Sequence, residues 1–151
     1  MSTAISIIIP TYNERDNIIA LVKRIDHSLS NYEYEIVFID DDSSDGTAEV
    51  AESLSPKYPV KVIVRKNTRG LASAVVDGLG YIKSDLIGVM DADLQHPPEV
   101  IPNLVKELRS GADVAIASRY VVGGGCQGWG LMRRIISKGA IFLAHLLLPS
   151  T

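Results

Sequence analysis

Cysteine is all but absent: Cys126 stands alone among 151 residues. No internal disulfide can form, which points toward a reducing compartment. The N-terminus has no basic stretch ahead of its apolar run, and Pro10 follows that run at once, so a signal peptide is not expected. Long hydrophobic runs are lacking as well. The longest nearly uncharged one, Ala140 to Pro149, is about half of the ~20 residues that a membrane-spanning helix needs. Internal repeats and low-complexity segments are missing too. What is present, 46% hydrophobic and 22% charged residues, is the balance of one soluble domain with a real core. A chain of this length buries roughly two-thirds of its unfolded surface and needs no covalent staple.

The net charge of −3 conceals an asymmetry. Residues 1–108 carry 10 Lys and Arg against 17 Asp and Glu, whereas residues 109–151 carry five (Arg109, Arg119, Arg133, Arg134, Lys138) against Asp113 alone. An acidic body with a basic, apolar end argues against general nucleic-acid binding and suits a metal and phosphate site beside an anionic surface.

Five short apolar runs rich in β-branched residues, Ile5–Ile9, Glu35–Ile39, Val60–Val64, Leu86–Met90 and Asp113–Ala117, predict strands. Continuous rather than alternating apolarity predicts burial on both faces, as in a parallel sheet. Helical spacing follows the first four runs: Ile18, Leu21, Val22, Ile25 and Leu29; Val50, Ala51 and Leu54; Leu71, Ala74, Val75, Gly78 and Leu79; and Val100, Ile101, Leu104, Val105 and Leu108. Ser43-Ser44-Asp45 supplies capping residues for the second helix; Pro97-Pro98 opens the fourth and Gly111 stops it. Strands alternating with helices predict a doubly wound α/β sheet, with ligands beyond the carboxyl ends of the strands.

Those strand ends carry Pro10-Thr11-Tyr12-Asn13-Glu14, Asp40-Asp41-Asp42-Ser43, Asp91-Ala92-Asp93-Leu94-Gln95-His96 and Ser118-Arg119-Tyr120. Two carboxylates two residues apart repel unless a cation lies between them, and hard ions such as Mg2+ or Mn2+ take oxygen ligands shared with water and phosphate. Gln95 adds a neutral oxygen on that turn. The alternative is that Asp93 caps the helix near Pro97 while Asp91 is solvated. Asp40–Asp42 weighs against it, because two carboxylate turns converging on one edge are hard to explain as caps. One of those acids has a structural alternative, with Asp42 or Ser43 capping the second helix. Arg119, and Arg133-Arg134 beyond Gly123-Gly124-Gly125, match phosphate oxygens; Arg119 serves equally well as an ion-pair partner of an aspartate. Asn67-Thr68-Arg69-Gly70 either aims backbone N–H groups at an anion or makes an ordinary turn. His96 neighbours the acidic turn, although packing against its prolines is the plainer role. His27, His145 and Cys126 are assigned nothing, and Trp129 either anchors an interface or covers the sheet.

In order along the chain, Ile7-Ile8-Ile9-Pro10-Thr11-Tyr12-Asn13-Glu14, Ile39-Asp40-Asp41-Asp42-Ser43, Met90-Asp91-Ala92-Asp93-Leu94-Gln95-His96-Pro97-Pro98 and Ser118-Arg119-Tyr120 resemble glycosyltransferase family 2, and most of all its dolichyl-phosphate mannosyltransferase branch. The resemblance implies a GT-A fold, a GDP-mannose donor, a polyprenyl-phosphate acceptor and Mg2+ or Mn2+. By position, Pro10, Tyr12, Glu14, Ile39 and Asp41 would hold the nucleoside. Asp91, Asp93 and Gln95 would hold the metal and, with Ala92, the diphosphate and sugar, Asp91 and Asp93 being the catalytic pair. Arg119 and Arg133 would contact phosphate groups. Inverting displacement by an already ionised lipid phosphate needs no protein base, in agreement with the lack of a convincing one.

Family members continue past the segment resembling 133–149, so the resemblance implies a single catalytic domain over 1–151, truncated at its C-terminus. Residues 130–149 would be an apolar and basic helix lying on a membrane at its cytoplasmic side or, alternatively, covering the sheet. Other sugars such as glucose or N-acetylglucosamine, and a donor-binding fragment without turnover, remain alternatives. A sugar-nucleotide pyrophosphorylase would need a Gly-rich basic loop after the first strand, which Pro10–Glu14 is not. A phospho-acceptor domain shares the sheet and the acidic clusters.

Overall fold

A computed structural model describes residues 5–118, and residues 5–115 of these belong to one compact unit. Its elements are β1 (Ile5–Thr11), α1 (Arg15–Ser28), β2 (Tyr34–Asp40), α2 (Thr47–Glu52), β3 (Val60–Val64), α3 (Leu71–Leu79), β4 (Leu86–Val89), a 3-10 turn (Pro98–Val100) and α4 (Ile101–Arg109). All four strands pair in parallel, in the order β3-β2-β1-β4. Ile5 of β1 stands opposite Tyr34 of β2 and Leu86 of β4, so the carboxyl ends of the strands share one edge.

The apolar runs dictate this arrangement. Ile7, Ile9, Ile36 and Phe38 face one side, against Ile18, Leu21, Val22 and Ile25 of α1, Ala51 of α2 and Ile101 and Val105 from the last helical segment. Ile8, Val37 and Ile39 face the other side, against Ala74 of α3. Residues buried on both faces of one strand leave no polar stripe, which is why β1 and β2 read as unbroken apolar runs. Gly78 lets α3 approach closely: a Cβ there would stand 2.8 Å from Ile8 Cγ2 and 3.2 Å from Ile39 Cγ1.

The doubly wound expectation holds. Connections leave β1 toward β2 and β3 on one side, and β4 joins β1 on the other, so the direction of winding reverses between β1 and β4. The predicted fifth strand does not form. Residues 114–117 carry neither strand nor helix, and Val114 and Ile116 are 72% and 80% exposed. A short Val-Ala-Ile-Ala run acquires strand geometry only by pairing, and no described strand is its partner. The third helix also departs from its apolar pattern: Ala74 and Gly78 are buried, whereas Leu71 and Leu79 are exposed.

Candidate active site

The loops following β1 and β2 are laced together. Asn13 N–H donates to Ser43 Oγ at 2.9 Å, and Ser44 N–H donates to Asn13 Oδ1 at 3.1 Å. Glu14 N–H donates to Thr47 Oγ1 at 2.9 Å and Arg15 N–H to Asp45 Oδ2 at 3.2 Å, so N–H groups that the start of α1 leaves unpaired are satisfied from the start of α2. Asp45 also accepts from the Thr47 N–H at 3.0 Å and from the Thr47 hydroxyl. The acceptor at the entry to α2 is therefore Asp45, and neither Asp42 nor Ser43 has that role.

The three consecutive acids have three different fates. Asp40 is buried and accepts from Thr11 Oγ1 (2.9 Å), Ser43 N–H (2.8 Å) and Ser43 Oγ (2.7 Å), which closes the loop on itself. Asp41 is buried against Arg65, whose Nε donates to its Oδ1 at 2.8 Å, while Gly70 N–H donates to its Oδ2 at 2.8 Å. Asp42 is exposed, with φ at +56°. Among the described residues, no three or more His, Cys, Asp or Glu side chains gather as ligands. The physical reason is that Asp40 and Asp41 already have hydrogen-bond and ion-pair partners within the fold. The anion served by the 67–70 turn is likewise the chain's own Asp41.

Arg65 escaped the sequence reading. It is 7% exposed and directly follows β3. Burial opposes its charge, but hydrogen bonds to Asp77 and Asp41 outweigh that and raise its pKa above the usual guanidinium value. Its position immediately after a strand end, like that of the acids, was the available signal.

The remaining candidates follow β1 and β4, the two strands of the switch point, and are half-buried or exposed. Tyr12 is 47% exposed, with the Arg69 guanidinium carbon 4.5 Å from its ring centroid. Glu14 Oε2 accepts from Asn17 Nδ2 at 2.6 Å. Asp91 and Asp93 are half-buried, Gln95 is exposed, and His96 Nδ1 lies 3.5 Å from Asp91 Oδ2. Asp93 Oδ1 accepts from Gln95 N–H at 2.9 Å, which leaves its second oxygen for a ligand. Two hard-oxygen donors on one turn fit an ion of the Mg2+ or Mn2+ kind, which fills most of its shell with water and phosphate oxygens. Ile39 and Ala92 are different. Both residues are buried in the core, at 0% and 2% exposure, so neither presents its side chain to a ligand. Arg119, Arg133 and residues 130–149 lie outside the described residues, as do Tyr120, Cys126, Trp129 and His145.

Each of the four loops at this edge holds one non-glycine residue at positive φ: Asn13, Asp42, Asn67 and Leu94. Asn and Asp tolerate that region, but Leu does not, and Leu94 lies between Asp93 and Gln95 with its side chain packed on the α1-side core. A strained residue within the acidic turn marks the place where geometry takes precedence over local comfort.

The profile of the family described as Glycosyl transferase family 2 matches residues 6–149. A dolichol-phosphate mannosyltransferase of Pyrococcus furiosus is 54% identical over 145 residues, covering 96% of this chain and 41% of the relative. Another from Saccharomyces cerevisiae is 40% identical over 150 residues, covering 96% of this chain and 56% of the relative. The chain thus spans about half the length of these relatives. Among solved structures, a mannosyltransferase from Pyrobaculum calidifontis in complex with GDP-Man and Mn2+ superposes with a TM-score of 0.62 at 26% identity, over 72% of this chain and 33% of that one. A glucosyl-3-phosphoglycerate synthase of Mycobacterium tuberculosis shares the fold, with a TM-score of 0.61 at 23% identity over 72% of this chain and 42% of that one.

Proposed function

We infer, since this chain belongs to glycosyl transferase family 2, that it is the donor-binding part of an enzyme transferring mannose from GDP-mannose to a polyprenyl phosphate, with inversion at the anomeric carbon. The observation that carries this reading is the open Asp91–Asp93 turn at the β1/β4 switch point, in a chain matched over 96% of its length by proteins named for that reaction. A neighbour that holds GDP-Man and Mn2+ on the same fold supports the choice of donor and metal type.

Tyr12, Glu14 and Asp41 flank the nucleoside, with Pro10 beside them and Ile39 supporting them from the core. Asp91 and Asp93 would hold a divalent ion with Gln95, and Ala92, between them on the turn, would lie toward the diphosphate. The ion, when bound, neutralises charge on the departing diphosphate. Arg119 and Arg133 add the fixed positive charge of guanidinium groups. A phosphate oxygen of the acceptor forms the new bond to the anomeric carbon as the bond to the GDP oxygen breaks, and GDP leaves with that electron pair. The nucleophile is already ionised, so the protein's contribution is alignment and electrostatics. The apolar residues of 131–148 beside Arg133, Arg134 and Lys138 suit an encounter with a lipid phosphate at a membrane surface. No helix among the described residues is long and apolar enough to cross a membrane.

Calorimetric titration of GDP-mannose tests the reading. Binding is expected with Mn2+, is lost with chelator, and weakens at least about tenfold in Asp93→Asn, in line with the loss of one charged ligand. Failure of the folded chain to bind GDP-mannose with metal present would overturn the donor site.

A further inference from the structure

The segment after β4 is tied to the α1-side core at alternate residues. Met90, Ala92 and Leu94 all pack on that core, and Ala92 is fully buried there. The oxygen-bearing residues Asp91, Asp93 and Gln95 alternate with them and are half-buried or exposed. Downstream, Pro98 is buried, and Arg24 of α1 donates to Glu99 through both Nε (2.8 Å to Oε1) and Nη2 (2.7 Å to Oε2). Between the fixed points at Ala92 and Pro98 the apolar anchor is Leu94, since Gln95, His96 and Pro97 are exposed.

Leu94 has φ at +60°, a region in which a leucine side chain crowds its own backbone. The other non-glycine residues at positive φ, Asn13, Asp42 and Asn67, are of the types that tolerate it. Packing of the Leu94 side chain on the core offsets the conformational cost, so the anchor and the backbone shape depend on each other. The shape has a local result: Gln95 N–H turns back and donates to Asp93 Oδ1 at 2.9 Å. An extended residue at 94 would carry that amide onward, away from the carboxylate. Glycine or asparagine would accept the backbone more readily, but neither would tie it to the core.

We propose that Leu94 is a positioning residue that presets the Asp91–Gln95 turn for a divalent ion. Its packed side chain selects the left-handed backbone, and that backbone sets the Gln95 amide on one Asp93 oxygen while the other stays available to the ion. This rests on the donor-site reading above, in which Asp91, Asp93 and Gln95 hold the ion. A preset turn needs no ordering when the ion arrives, and such ordering costs affinity.

The test compares the wild-type chain with Leu94→Ala, Leu94→Gly and Leu94→Met. Alanine keeps the backbone cost and loses the anchor, glycine loses both, and methionine keeps an apolar side chain of similar volume. The first readout is the Mn2+ concentration that half-saturates GDP-mannose binding in calorimetry. It should rise about tenfold in Leu94→Ala and at least about threefold in Leu94→Gly, as for loss of a group that supports metal ligands. In Leu94→Met it should stay within about twofold of wild type, as for a volume-conserving exchange. The second readout is hydrogen exchange of the Gln95 amide in the metal-free protein, expected to be about tenfold faster in Leu94→Ala. A merely structural role would lower the urea midpoint and move neither readout in the folded protein. A wild-type Mn2+ requirement in a folded Leu94→Ala would overturn the inference and leave the donor site standing, as would Gln95 exchange at the wild-type rate. If the alanine variant does not fold, Leu94→Gly decides by the same two readouts. Failure of the wild type to bind GDP-mannose with Mn2+ would instead overturn the donor reading, and this inference with it.

Discussion

Asp45 holds the starts of two helices at once, accepting Arg15 N–H from α1 and both the N–H and the hydroxyl of Thr47 in α2. The Thr47 hydroxyl contributes most to holding this carboxyl below the usual carboxylate range, against the small opposing effect of burial, with the backbone N–H bonds adding to it. A carboxyl whose pKa is lower folded than unfolded stabilises the fold above its unfolded value, near 3.9, and loses that contribution as the pH falls through the folded value. Asp45→Ala should cost about 1 kcal/mol at pH 7, as for a lost helix-entry acceptor. Urea unfolding as a function of pH checks both points: the difference from wild type should be flat above about pH 5 and shrink on acidification below about 4. A difference that grows toward low pH would contradict the assignment. Sequence reading named Asp45 among the capping residues because Ser-Ser-Asp is a local signal. It could not separate the roles of Asp40, Asp41 and Asp42, since their partners, Thr11, Arg65 and Gly70, are distant in the chain.

At the level of elements, β1, β2 and α1 emerge where the apolar periodicity places them, because a strand buried on both faces and a helix with one buried stripe leave distinct patterns. Two glycines show what such patterns do not contain. A Cβ at Gly78 would meet the branched Cγ2 of the fully buried Ile8, whereas a Cβ at Gly88 would meet the terminal Cδ1 of Ile7. Both separations are 2.8 Å, but Ile8 Cγ2 is fixed to its Cβ while Ile7 Cδ1 can turn aside. Alanine in α3 gains about 1 kcal/mol of helix propensity, and overpacking costs about 1–3 kcal/mol. Gly78→Ala should therefore be net destabilising by about 1 kcal/mol or more, and Gly88→Ala should remain within about 1 kcal/mol of wild type. Urea midpoints of the two variants decide it. A stabilised Gly78→Ala would mean that α3 can lift off the sheet without cost.

Across the described molecule the two faces of the sheet are unequal. On the α1 side a continuous cluster runs from α2 to α4. On the α3 side the buried cluster is Ile8, Val37, Ile39 and Ala74, while Ile87 and Val89 of β4 are 46% and 51% exposed. Hydrogen exchange should follow this difference. Amides of β1 and β2, each flanked by two strands, should exchange slowest, with α3 and β4 opening at lower free energy. Equal protection in α3 and β1 would show that the two faces open as one unit. The opening between β1 and β4 is also a property of the whole, arising from the reversal of winding rather than from any one loop.

By itself, the sequence determined the parallel doubly wound sheet, the siting of chemistry at the strand ends and the family blocks, because each is written in residues close together along the chain. Only the tertiary structure decided that the fifth apolar run forms no strand, that Ile39 and Ala92 are buried in the core, and that Asp41 answers to a buried arginine 24 residues away. Periodicity and turn chemistry act over a few residues, whereas pairing, desolvation and ion-pair choice depend on what the fold brings within about 3 Å.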